Sequence, residues 1–239
     1  MEKTYIDANQ QIGGWFVQPN QSQPSPAIVL MPAVHGLTSY IEETIHRLAR
    51  HGYTVFALDY YTTLGQPQLN SPEDVQKTLA GISDNQVMED AQAVVNYLKE
   101  QPNVKEKEIG VMGFCVGGKF AYLAGCEVDG VKAAVNFYGM IHVLETDNHP
   151  VSPIKKAGNL NVPLLGHYGT TDHLIPKEHV LEYDKELQNN HKHYEIRLYQ
   201  GAGHAFHDHT RPNYRAVAAK EAWTHTLHFF DFHLKGIYL

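Results

Sequence analysis

Gly110-Val111-Met112-Gly113-Phe114-Cys115-Val116-Gly117-Gly118-Lys119-Phe120-Ala121 runs from a short apolar strand through a glycine-rich turn into a helical pattern. The turn reads G-x-C-x-G-G, the nucleophile-elbow pattern with Cys where Ser is commoner. A side chain carried on such a strand-to-helix turn is forced into strained dihedrals. Gly113 and Gly117, two residues either side of Cys115, leave room for the turn, and Gly118 lets the new helix lie close to its neighbours. Cys115 then sits at a helix N-terminus, where the dipole and free backbone N–H groups favour a thiolate over a thiol. The N–H of Val116 is placed to hold an oxyanion. The blander alternative is a small core cysteine in a tight turn, the common use of a free Cys.

Outward from this stretch the chain alternates between two periods. Short apolar runs occupy residues 26–31, 53–58, 108–112 and 131–138, with a less clean fifth at 162–168. Such runs, bounded by turn residues, predict strands buried on both faces of a parallel sheet. Between them Ile41, Ile45 and Leu48, then Val87, Ala91, Val94 and Leu98, then Trp223, Leu227, Phe230 and Leu234 repeat at helical spacing. The expected architecture is α/β, a mostly parallel central sheet with helices on both faces. Residues 12–19 predict an edge strand or hairpin partner. Residues 62–83, with a weak helix late in the segment, and 145–161 are irregular. Both are candidate pocket walls, because ligands in open α/β sheets sit beyond the carboxyl ends of the strands. No repeat or linker divides residues 1–239, which predicts a single domain.

Composition narrows the function classes. Lys plus Arg is 19 and Asp plus Glu is 26, a net charge of -7 with no basic run. That argues against nucleic acid or an anionic membrane as partner. No apolar run approaches the roughly 18 residues of a membrane span, and the N-terminus shows no secretory signal. Two cysteines, Cys115 and Cys126, make no disulfide framework and suit a reducing cytoplasm. Cys126, about three helical turns after Cys115, reads as core packing.

An elbow nucleophile needs an acid and then a histidine, each just after a later strand. Asp172 follows the 162–168 run in Gly169-Thr170-Thr171-Asp172-His173. His204 follows the alternating stretch Tyr194-Glu195-Ile196-Arg197-Leu198-Tyr199. The acid fixes the imidazole tautomer and the imidazole shuttles protons. Taken singly, Asp172 reads equally as a turn former and His204 as one of sixteen histidines; their order gives them weight. Pro32-Ala33-Val34-His35-Gly36 follows the first buried strand, and the amide of Val34 is the candidate to complete an oxyanion hole.

Together Gly113-Phe114-Cys115-Val116-Gly117-Gly118, Gly169-Thr170-Thr171-Asp172-His173-Leu174-Ile175-Pro176 and Ala202-Gly203-His204-Ala205-Phe206 resemble the dienelactone hydrolase family of the α/β-hydrolase fold, over about residues 27–232. The resemblance implies a Cys115-His204-Asp172 hydrolase of esters, lactones or thioesters working through a thioacyl intermediate. It implies a small-molecule substrate, no metal and no organic cofactor, in a monomer or small homo-oligomer. Tyr138 matches a pocket tyrosine of the family, and His35 lies nearby. Two departures stand out. The family's Glu, which takes the Cys proton, falls at Ala33. Of its two substrate-binding arginines, one falls in 62–83, which contains no Arg, and the other at Asp208. Dienelactone itself is therefore a poor fit, and neutral substrates are expected to beat anionic ones unless Arg211 or Arg215 supplies the contact. The missing Glu also leaves open a non-catalytic carbonyl-binding protein. An acyltransferase is a further alternative. The set His204, His207, Asp208 and His209 has no recognisable metal-ligand spacing.

Overall fold

The computed structural model describes residues 1–237; residues 238 and 239, the last of the domain read from the sequence, lie outside the described residues. Among these described residues eight strands form one sheet: β1 (Thr4–Asp7), β2 (Gln11–Val17), β3 (Ser25–Met31), β4 (Thr54–Asp59), β5 (Val104–Phe114), β6 (Val131–Phe137), β7 (Leu164–Gly169) and β8 (Tyr194–Tyr199). Their spatial order is β1-β2-β4-β3-β5-β6-β7-β8. The β1–β2 and β2–β4 pairs are antiparallel, and every other pair is parallel.

Among the described residues six α-helices cover the sheet: α1 (Ser39–Arg50), α2 (Pro72–Gly81), α3 (Asp84–Glu100), α4 (Val116–Glu127), α5 (Lys177–Asn189) and α6 (Ala216–Lys235). All residues of β3 and β4 are buried, which requires a covering layer on each face and explains why these strands read as unbroken apolar runs. One contiguous apolar core joins sheet and helices.

The chain leaves β3 for β4 on one side and later returns to place β5 on the other. The carboxyl ends of β3 and β5 are therefore neighbours at a topological switch point, with Met31 in register with Gly113. The loop after β3 and the elbow after β5 meet there.

Several local expectations shift. Residues 11–17 are the hairpin partner of β1, and β1 takes the sheet edge. The 131–138 run ends as a strand at Phe137, because Tyr138 turns to φ +41°. The 62–83 segment contains a properly capped helix: the Ser71 hydroxyl accepts from the Asp74 N–H while the Asp74 carboxylate accepts from the Ser71 N–H, both at 3.1 Å. Residues Pro153–Asn159 form a 3-10 helix within the second irregular segment. Cys126 lies on α4 with Cys115 at its N-cap, buried, with its thiol pushed up to about 12, chiefly by burial.

Candidate active site

Cys115 caps α4 with φ 58° and ψ -121°, a conformation that costs about 1–3 kcal/mol in a residue with a side chain. Neighbouring backbone holds it there: its N–H donates to Phe137 O at 3.0 Å, and its carbonyl accepts from Gly118 N at 2.9 Å. The flanking glycines are required by contact distance. A Cβ on Gly113 would lie 2.0 Å from Gly117 O, and one on Gly117 would lie 2.0 Å from Met31 O. The second contact seats the start of α4 directly on the end of β3. Val116, the first residue of α4, has no intrahelical acceptor for its N–H.

Asp172 and His204 arrive from the β7 and β8 ends, on loops tied to each other. Thr171 donates through both its N–H (3.0 Å) and its hydroxyl (2.9 Å) to Ala202 O. Asp172 is buried. Its Oδ1 accepts from the N–H groups of Leu174 (2.8 Å) and Ile175 (3.1 Å), and its Oδ2 accepts from His204 Nδ1 at 2.8 Å. With Nδ1 donating to the Asp172 carboxylate, Nε2 is left as the second ring nitrogen. It is buried and has no hydrogen-bond partner among the described residues. Cys115 shares the cleft wall with this ring. Burial works to lower the His204 pKa, but the negative charge of Cys115 and the Asp172 carboxylate override it and push it up to about 10.

The cleft is narrow, about 80 Å³, and its walls include Ala33, Val34, His35, Tyr40, Cys115, Tyr138, His204, Asp208 and Arg211. The seven site residues singled out from the sequence thus converge on the switch point. Cys115, Val34, His35, Tyr138 and His204 line the cavity, Asp172 stands behind His204, and Val116 follows Cys115. Tyr138 packs edge-on against His204 at 5.2 Å between ring centres. His35 is half-buried with its pKa lowered, first by burial and then by Arg211, against the opposing pull of Asp208. A roomier surface groove of about 670 Å³ between β8 and α6 lies apart from Cys115 and is lined by no Cys, Ser or Thr.

Three features go beyond the sequence reading. Arg211 reaches the cleft and stands 3.5 Å from Asp208, so that acid has a cation beside it. Tyr40 contributes a wall and bonds to His207 Nδ1 at 2.5 Å. Burial and Arg47 push the His207 pKa down to about 3, so the ring is neutral where it meets the Tyr40 hydroxyl. The four candidate ligands near His204 therefore face different partners: His204 faces Asp172, His207 faces Tyr40, Asp208 faces Arg211 and His209 faces Glu43. No metal-ligating cluster occurs among the described residues. Lys119, buried one turn after Cys115, pairs with Asp84 at 2.5 Å, and Asp84 also meets His149 Nδ1 at 2.9 Å.

Comparison with known proteins identifies the family and the fold. The family model described as "Dienelactone hydrolase family" matches residues 12–234. A Bradyrhizobium protein named "probable 2-oxo-3-(5-oxofuran-2-ylidene)propanoate lactonase" is 37% identical over 93% of this chain and 90% of its own. A "putative carboxymethylenebutenolidase" of Escherichia coli K12 is 32% identical over 90% of this chain and 80% of its own. The crystal structure of a "putative dienelactone hydrolase" from Klebsiella pneumoniae superposes with a TM-score of 0.92 at 27% identity, covering 96% of this chain and 97% of that one. The chain has the α/β-hydrolase fold and belongs to the dienelactone hydrolase family, hydrolases of the ester and lactone type.

Proposed function

We propose that the protein hydrolyses a small ester, lactone or thioester through a Cys115-His204-Asp172 triad and a thioacyl-enzyme intermediate. The observation that carries this reading is the orientation of His204: Asp172 holds its Nδ1 at 2.8 Å, leaving a buried, unpaired Nε2 in the cleft it shares with Cys115.

In the first step the Cys115 sulfur attacks the carbonyl carbon. Negative charge collects on the carbonyl oxygen, where the free N–H of Val116 and the N–H of Val34 are the donors we assign. Collapse of that adduct breaks the carbon–oxygen bond, and the His204 Nε2 proton goes to the departing alkoxide. In a lactone that alkoxide stays attached to the acyl group. Water then enters, His204 takes its proton, and the hydroxide attacks the thioester carbon. The sulfur leaves as thiolate, His204 is again protonated, and a carboxylic acid is released. Asp172 stabilises the imidazolium in both half-reactions. With Ala33 where the family resemblance implies Glu, no carboxylate stands at that loop to take the thiol proton, so His204 serves as base throughout. Cys115 must be reduced for this chemistry, which fits a cytoplasmic enzyme.

For the substrate we favour an uncharged acyl group over dienelactone, since the two charges on this part of the cleft, Asp208 and Arg211, oppose one another. The presence of Arg211 in the cleft favours a second reading, a lactone bearing a carboxylate, in line with the propanoate in the Bradyrhizobium relative's name. Matched lactones with and without a carboxylate, assayed against wild type and Arg211→Gln, separate the two. Preference for the neutral member supports the first reading. Preference for the anionic member, lost in Arg211→Gln, supports the second. In either case Cys115→Ala is expected to abolish turnover, and wild-type rates in that variant would reject the triad.

A further inference from the structure

We infer that Tyr60 and Tyr61 are positioning residues whose hydroxyls aim the backbone amides of the β3–α1 loop at the oxygen that becomes negative during catalysis. The inference rests on the thioacyl reading above and adds how its oxyanion site is held in place.

Three consecutive carbonyls of that loop are each engaged. Pro32 O accepts from the Tyr60 hydroxyl at 3.1 Å. Ala33 O accepts from Gly36 N at 2.9 Å, and Val34 O accepts from the Tyr61 hydroxyl at 2.5 Å. A trans peptide group is planar, with its N–H pointing opposite its C=O. Fixing the carbonyls of residues 32, 33 and 34 therefore fixes the directions of the N–H groups of residues 33, 34 and 35: Tyr60 sets the residue 33 amide, Tyr61 sets the residue 35 amide, and the Val34 amide, set by the Gly36 bond, is clamped between them. The N–H groups of Val34 and His35 have no acceptor among the described residues, although Val34 itself is buried. A buried amide left without a partner is rare unless something else is to occupy it.

The two tyrosines are built to do this. Both are buried. They follow Asp59 at the end of β4, the neighbour of β3, and the Tyr61 N–H donates to the Asp59 carboxylate at 3.1 Å. The Tyr60 ring packs edge-on against Phe120 of α4 at 5.4 Å, which couples the loop to the helix that supplies the Val116 amide. Gly36, at φ +68°, closes the turn against the Tyr61 ring, where a Cβ would come within 3.1 Å. Burial raises both phenol pKa values and the charges of Asp59 and Cys115 raise them further, so both hydroxyls remain donors at neutral pH.

Tyr60→Phe and Tyr61→Phe keep the ring packing and remove only the donors. Three readouts separate loop aim from general damage: hydrolysis of 4-nitrophenyl acetate, inhibition by a short aldehyde whose adduct with the Cys115 sulfur places a negative oxygen in the same site, and alkylation of Cys115 by iodoacetamide, which develops no such oxygen. For Tyr61→Phe the expected result is a kcat lower by about tenfold or more, approaching the roughly 10²–10³-fold that loss of an oxyanion donor costs. KM is unchanged, aldehyde inhibition weakens in step with kcat, and the alkylation rate stays at the wild-type value. Tyr60→Phe should show the same pattern. A wild-type kcat in both variants, or an alkylation rate that falls in parallel with kcat, would overturn the inference. Wild-type turnover in Cys115→Ala would instead overturn the thioacyl reading on which it stands.

Discussion

Replacing Asp172 by Asn changes the site by little more than one charge. Asp172 Oδ1 accepts from two backbone N–H groups, at 2.8 and 3.1 Å, and an amide oxygen can keep both. The amide NH₂ then faces His204 Nδ1, where the carboxylate Oδ2 had accepted at 2.8 Å. Two donors cannot share that contact, so Nδ1 must give up its proton and the ring proton moves to Nε2. The lost charge-assisted hydrogen bond is worth about 1.5–3 kcal/mol, or roughly 10–150-fold in rate at about 1.4 kcal/mol per decade. The reversed tautomer adds to this and can reach about 10⁴-fold where a triad carboxylate is exchanged for an amide. The His204 pKa should also fall from about 10, since Asp172 raises it both by its charge and by its hydrogen bond. Steady-state hydrolysis of 4-nitrophenyl acetate from pH 6 to 10 reads the rate, and NMR of the imidazole reads the titration. A kcat within about twofold of wild type, or an unshifted His204 titration, would refute the assignment of Asp172 as the group that orients and charges His204.

Three further outcomes follow from the geometry. The His204 pKa is about 10 in the folded protein against 6.5 unfolded, so the native state holds the extra proton; its stabilising contribution is full below about pH 6.5 and is lost as pH rises toward 10. Urea unfolding should show stability declining across that window by up to about 1.4 kcal/mol per pH unit, and a flat profile in His204→Gln would assign the slope to this residue. Gly117→Ala drives a Cβ to 2.0 Å from Met31 O and should cost about 1–3 kcal/mol or more, seen as a lowered Tm, whereas an unchanged Tm would mean that α4 is not seated on β3 as described. Lys119→Met leaves Asp84 buried beside His149 without its ammonium and should lose about 3–5 kcal/mol in chemical denaturation, while adding Asp84→Asn should recover part of that loss.

The sequence carried those parts of the fold whose signal is local. Buried parallel strands are apolar on both faces, so β3 and β4 were visible as runs, and the elbow showed itself because Gly113 and Gly117 have no room for a Cβ. Strand β1 was missed because only Ile6 of its four residues is buried, too little to form a pattern. Helix α5 was missed because Val180, Tyr183 and Leu187 are its only buried residues among charged neighbours. The triad was legible from order along the chain, whereas its supports were not. Tyr40 finds His207 across 167 residues, Lys119 finds Asp84 across 35, and Tyr61 finds the Val34 carbonyl across 27. Such contacts come from the way the sheet brings distant helices and loops together, and no periodicity announces them. Arg211 could be suspected from its place after His204, but its position beside Asp208 required the fold of that loop.

The central claim is that acyl groups pass through the sulfur of Cys115. Rapid acid quench of the enzyme with excess 4-nitrophenyl acetate, followed by mass spectrometry of the intact chain and its peptides, tests it directly. The account predicts a single acetyl group, on Cys115, removable by neutral hydroxylamine as a thioester and accumulating in His204→Gln if deacylation is slowed more than acylation. Undiminished turnover with Cys115 unmodified in every quench and replaceable by Ala, or with the acetyl group on another side chain, would contradict it.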